Sequence, residues 1–169
     1  KKECRDFFCA EGGVCDKYMK MGIDGFRLDV ADELCDPFLY EFRERLRTVN
    51  PDAMLIGEVW ENAVTKSSYG ERRHYFEGRQ LDSVMNYPIK NAIIDYAKNG
   101  DCTFLYNAAT ELYSTYPRCV CDCLMNLLGT HDTERILTVL GGKSSEGLSN
   151  AELSTLRMSE DERKYAISL

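Results

Sequence analysis

Apolar and polar positions follow two alternating rhythms along this chain. Short continuous apolar runs are separated by longer stretches in which apolar residues recur every three or four positions. Residues 18–22 read as a helix end stopped by Gly22, and residues 25–30 as the strand that follows. Over 37–46 the spacing predicts a helix with Phe38, Phe42 and Leu46 on one face, Pro37 in its first turn and Asp36 as its cap. Pro51 and Asp52 make a turn before a second, buried strand over 53–60. Residues 61–80 are polar and irregular, a long loop containing Gly70 and Gly78. A third strand is expected over 81–87, stopped by Pro88, followed by helices over 89–98 and 104–114. A fourth strand over 124–130, a Gly/Ser-rich loop over 141–150 and a closing helix over 151–169 complete the pattern.

Strands that alternate with helices form a parallel sheet. The first three expected strands begin about 28 residues apart, near the ~31 per unit of a closed eight-fold barrel of roughly 250 residues. A doubly wound sheet would place a glycine-rich turn after its first strand. Here Asp29 is followed by Val30, Ala31, Asp32 and Glu33, which cannot cradle a phosphate. The expected fold class is therefore α/β, a (β/α)8 TIM barrel with about half present, and residues 1–169 read as a fragment of that single domain. Half a barrel leaves two strand edges unpaired. The expectation is a piece of a longer chain, or a chain that closes against a second copy.

Composition narrows the function. The chain has 169 residues, 44% apolar and 29% charged, with a net charge of −7, which excludes disordered and fibrous classes. The acidic balance argues against nucleic acid as a partner. No apolar run reaches the ~18–20 residues that span a bilayer, and residues 1–6 lack a signal peptide's apolar stretch, so no membrane partner is expected. Eight scattered cysteines form no C-x-x-C pair. Cys119, Cys121 and Cys123 are expected on one face of an extended segment, as packing thiols rather than a metal module. Reduced thiols favour a cytoplasmic setting.

The chemistry gathers at strand ends, where eight-fold barrels build their sites. Asp29 ends the first strand, Glu58 the second, and Asp132 follows the fourth, preceded by His131. Alternation points Arg27 and Asp29 the same way, with Phe26 and Leu28 facing helices. A neighbouring arginine keeps such an acid ionised, whereas an acid in a drier site beside other carboxylates is poised as a proton donor. One acid of each kind, ~5–5.5 Å apart, is what a retaining glycosidase needs. A lone strand-end acid is usually a cap or a solvated group; three of them, one with an arginine two residues earlier, suggest a site.

Three segments resemble signature regions of the α-amylase family of glycoside hydrolases. They are Gly25-Phe26-Arg27-Leu28-Asp29-Val30-Ala31-Asp32-Glu33, Ile56-Gly57-Glu58-Val59-Trp60 and Leu128-Gly129-Thr130-His131-Asp132-Thr133-Glu134-Arg135-Ile136. With Val84-Met85-Asn86-Tyr87-Pro88 they look most like its neopullulanase, cyclomaltodextrinase and maltogenic-amylase group. The resemblance runs over about residues 13–140 and places the strands as the barrel's fourth to seventh. It implies Asp29 as the nucleophile, Glu58 as the acid/base and Asp132 as the acid that grips the sugar's 2- and 3-hydroxyls at the transition state. It implies Arg27 as the residue holding the nucleophile, and His131 as a contact to the same sugar. Trp60 and Glu33 would line the acceptor subsites, where an aromatic ring stacks on glucose.

The implied function is retaining cleavage of α-1,4-glucosidic bonds in maltodextrins, cyclodextrins, pullulan or starch, with an α-glucan as partner and a homodimer of the full-length protein. The fragment alone is expected to be inactive. No cofactor or metal is implied within these residues; the family's donor-subsite strand and eighth strand have no counterpart here, and its calcium ligands lie largely in those parts, which leaves calcium to the full-length protein. Asp32 stands where the group usually has asparagine, and Thr130 where many members have asparagine. The rival reading is a catalytically silent barrel serving as a binding or assembly subunit.

Overall fold

The computed structural model describes residues 1–169. The elements run α1 (Lys2–Cys9), α2 (Val14–Lys20), β1 (Gly25–Leu28), α3 (Asp36–Val49), β2 (Met54–Gly57), β3 (Ser67–Ser68), β4 (Glu71–Arg72), β5 (Ser83–Val84), α4 (Tyr87–Asn99), α5 (Thr103–Thr115), α6 (Arg118–Cys121), α7 (Ile136–Leu140), α8 (Asn150–Thr155) and α9 (Glu160–Ser168). They divide into two compact units, residues 1–88 with 110–125, and residues 89–109 with 126–169.

The first unit holds a three-stranded parallel sheet in the order β1-β2-β5. The β1–β2 register pairs Gly25 with Met54 and Leu28 with Gly57, so the ladder delivers Asp29 and Glu58 side by side at its carboxyl end. Phe26 leaves the sheet on the other side, its ring edge-on to Phe42 of α3 at 5.1 Å. Phe42, Leu39 and Leu46 are buried along one stripe of α3, and Leu55 is buried beneath them on β2. Each large apolar side chain removed from water there is worth about 1.5–3 kcal/mol, so the α3–sheet contact anchors both site-bearing strands. Two glycines allow close approaches at the strands. A Cβ on Gly25 would lie 2.1 Å from the Met54 carbonyl oxygen, and one on Gly57 would lie 2.4 Å from Leu81 Cδ1.

Several sequence expectations change. β1 stops at Leu28 rather than at 30, because Val30 turns into a left-handed conformation (φ 38°). Asp36 begins α3 instead of capping it; Cys35 holds the cap position, with Pro37 in the first turn. The loop 61–80 contains a small antiparallel hairpin, β3–β4. Pro88 opens α4 rather than ending a strand, consistent with proline's tolerance in a helix's first turn. The expected fourth strand is reduced to one bridge, Met85 to Met125. β5 has only two residues before the chain turns into α4, so little ladder remains to pair with.

Residues 119–123 are not extended. Pro117 caps the short helix α6, the Cys121 N–H donates to the Pro117 carbonyl (3.1 Å), and Arg118 pairs with Asp122 one turn on (2.9 Å). The thiols therefore do not share a strand face; Cys123 Sγ lies 3.0 Å from the Cys119 carbonyl oxygen.

In the second unit the expected closing helix is two helices. Ser149 with Glu152, and Ser159 with Glu162, form complete capping boxes at the starts of α8 and α9. No helix is long and apolar enough to cross a membrane.

Candidate active site

Asp29 and Glu58 leave neighbouring parallel strands in adjacent register, and Arg27 ties them together. One guanidinium nitrogen lies 2.5 Å from Asp29 Oδ1 and the other 2.9 Å from Glu58 Oε1. Alternation explains the first contact, since Asp29, the residue after β1, emerges on the side that Arg27 faces. The second needs the sheet, because Glu58 is the residue that follows β2.

The two carboxylates have different surroundings. The Asp29 side chain is 73% exposed, that of Glu58 only 1%. Glu58 is nonetheless well satisfied. The Val30 N–H donates to Oε2 (2.9 Å), and the Tyr87 hydroxyl donates to Oε1 (3.2 Å). The left-handed turn at Val30 points that N–H back at Glu58, while the Ala31 N–H reaches the Glu58 carbonyl (3.0 Å). The Tyr87 ring in turn stacks on Trp60 at 4.4 Å and 10°. One indole face is thereby covered, yet 41% of Trp60 stays exposed.

Glu33 sits in the turn after β1 and accepts a hydrogen bond from the Tyr69 hydroxyl. Asp29 and Glu33 line one cavity of about 490 Å³, with Phe8, Phe26, Leu34 and Phe38 among its apolar walls. The neighbouring Asp32 accepts from Tyr75 Oη (2.6 Å) and pairs with Lys66 (3.0 Å), which also pairs with Glu61 (2.5 Å). Burial acts to lower the Lys66 ammonium, but the Glu61 and Asp32 bonds outweigh it and hold it above the ordinary lysine range. Burial, reinforced by the Asp32 bond, pushes the Tyr75 phenol up.

His131 and Asp132 belong to the second unit. His131 Nε2 lies 3.1 Å from Asp132 Oδ2. Thr130 shapes their loop: its N–H donates to Thr133 Oγ1 (2.9 Å), and its Oγ1 accepts from the Asp132 N–H (3.3 Å). Both residues line a cavity of about 660 Å³ with Glu134, Arg135 and Arg157. The Glu134 carboxyl is held below the usual range by its bonds from the Ser145 side chain and N–H.

The structure thus brings Arg27, Asp29, Glu58, Trp60 and Glu33 together in the first unit, and sets His131 beside Asp132 in the second. Sequence reasoning had not singled out Tyr87, Lys66 or Tyr69 as site residues. Tyr87 was signalled only as part of a strand-end motif; the other two lie in a loop whose fold no periodicity announces.

A family model described as the α-amylase catalytic domain matches residues 2–160. The chain belongs to the α-amylase family. Its sheet and flanking helices are part of that family's (β/α)8 barrel. It is 38% identical over 131 residues to neopullulanase 2 of Thermoactinomyces vulgaris, covering 76% of this chain and 21% of that protein. It is 40% identical over 123 residues to a cyclomaltodextrinase of a Bacillus species, covering 72% of this chain and 20% of that protein. Among solved structures, the debranching enzyme of Nostoc punctiforme superposes with a TM-score of 0.71 at 30% identity, over 84% of this chain and 31% of that one. A cyclic α-maltosyl-(1→6)-maltose hydrolase from Arthrobacter globiformis gives 0.66 at 30% identity, over 75% and 27%. The chain spans about a fifth of the length of these curated relatives.

Proposed function

We propose that these residues supply the nucleophile, the acid/base and the transition-state acid of a retaining α-glucan hydrolase, within a complete barrel, and that they are inactive outside one. The observation that carries the reading is the Arg27 bridge, which joins Asp29 and Glu58 at the carboxyl ends of two adjacent parallel strands.

In this reading Asp29 attacks the anomeric carbon from the β-face while Glu58 gives its proton to the departing glycosidic oxygen. The bond from carbon to leaving oxygen breaks as the Asp29 ester forms. Glu58, now a carboxylate, takes a proton from water, whose oxygen displaces Asp29 and leaves an α-hemiacetal. An exposed Asp29 can reach a substrate without rearrangement, and the Arg27 ion pair with two hydrogen bonds, from the Val30 N–H and the Tyr87 hydroxyl, orients the Glu58 carboxyl. Asp132 and His131 contribute the grip on the sugar's hydroxyls, a role supported by their motif.

The names of the relatives support pullulan and cyclodextrins as substrates, and the family resemblance adds α-1,4 cleavage of maltodextrins and starch. The full-length chain should cleave maltodextrins to α-anomeric products by NMR, and Glu58→Gln should lower the rate by about 10²–10⁴-fold. A wild type that cleaves no α-glucan would move the reading to a silent barrel.

A further inference from the structure

The loop between Glu58 and β5 is folded as a hairpin that clamps onto the segment just after Asp29. The Ser68 hydroxyl donates to the Asp32 carbonyl (3.1 Å), and Lys66 pairs with the Asp32 carboxylate (3.0 Å). Arg73 donates to the Leu34 carbonyl (2.5 Å) and pairs with Asp36 (3.2 Å). Tyr75 closes the set on Asp32 from below (2.6 Å). The two loops that carry the site's two strand-end carboxylates are therefore locked to each other.

Tyr69 stands at the tip of this hairpin. Its φ of 54° and that of Gly70, 82°, make the two-residue turn between β3 and β4. Turns of this kind favour Asn, Asp or Gly at the first position, so a tyrosine there has no local justification. The residue is 80% exposed, and its hydroxyl donates to Glu33. In the functional reading above, the oxygen that Glu58 protonates leaves with the acceptor-side sugar, so that sugar binds next to Glu58.

We propose that Tyr69 is a specificity-determining residue for the sugar on the leaving-group side, its ring forming a stacking platform and its hydroxyl positioning Glu33. The ligand class is a glucose or malto-oligosaccharide acceptor, and the proposal rests on the functional reading above. An exposed aromatic face beside a positioned carboxylate is a suitable carbohydrate contact: the ring meets the C–H face, and the carboxylate accepts from hydroxyls. Asp32, in place of the group's asparagine, supplies the charge that Lys66 needs to hold the hairpin there.

The test uses the full-length chain with p-nitrophenyl α-maltoside as donor and maltose as added acceptor, measuring the ratio of transfer to hydrolysis. Tyr69→Asn suits the turn, so a loss would not reflect a misfolded hairpin. It should raise the acceptor concentration giving half-maximal transfer at least fivefold. Tyr69→Phe, which keeps the ring and loses the Glu33 bond, should fall between the two. Donor cleavage with an unchanged acceptor dependence in Tyr69→Asn would overturn the proposal. So would an effect confined to Lys66→Met, which would make the hairpin matter without its tyrosine. Wild type that releases no p-nitrophenol would instead overturn the underlying hydrolase reading.

Discussion

Arg27 holds Asp29 and Glu58 on two nitrogens of one guanidinium. Lysine has the charge but not the planar fork, so it cannot hold both carboxylates in one geometry. Arg27→Lys should lower kcat/KM on maltodextrins about 10²-fold, the scale expected of ångström misplacement in a site. Steady-state kinetics on the full-length chain, with circular dichroism to verify folding, checks this.

The two carboxylates should respond differently to an external nucleophile. With an activated α-glucoside, Asp29→Gly in sodium azide should give the β-glycosyl azide, because azide enters where the nucleophile stood. Glu58→Ala should give the α-glycosyl azide, since azide then displaces the Asp29 ester in place of water. NMR of the anomeric proton separates the two, and the same anomer from both variants would break the assignment of roles.

Tyr87 has two functions that substitution can separate. Tyr87→Phe removes one hydrogen bond to Glu58 but keeps the ring stacked on Trp60. Its cost should be about 0.5–1.5 kcal/mol in transition-state stabilisation, a loss of several-fold in kcat with KM little changed. Tyr87→Ala also frees the indole and should raise KM as well.

Asp16 of α2 is buried against Arg45 of α3, with two oxygens on two nitrogens at 2.6 and 2.5 Å, and it also accepts from the Gly12 N–H. The Arg45 bond, then the Gly12 bond, lowers its carboxyl to about 2. A folded-state value below the unfolded one means the stabilisation is complete above the unfolded range, near pH 4. It is lost as pH falls towards 2. Asp16→Asn should therefore cost roughly 2 kcal/mol at pH 7, and the gap to wild type should narrow at pH 3. Urea unfolding at pH 7 and pH 3 measures both.

Gly25→Ala should be more damaging than Gly57→Ala. The first added methyl meets the rigid Met54 carbonyl at 2.1 Å, the second the movable end of Leu81 at 2.4 Å. Over-packing of this kind costs about 1–3 kcal/mol, with Gly25→Ala at or beyond the upper end. Thermal melts of both variants give the order.

The sequence alone determined which residues lie on which strand face, since alternation is local. From it came the shared side of Arg27 and Asp29, the outward Phe26 that meets Phe42, and the strand-end position of Glu58. It also held the two Ser-x-x-Glu boxes that split the closing helix, a legible signal that apolar periodicity overrode. Contacts across elements were a different matter. The pairing of Arg27 with Glu58, the Tyr87 hydroxyl on the same carboxylate and the hairpin clamped on Asp32 join residues roughly 30 to 40 positions apart. No spacing rule reaches that far. Only the parallel register of β1 and β2 and the folding back of the 61–78 loop decided them, because those contacts are set by packing and long-range hydrogen bonds rather than by local propensity.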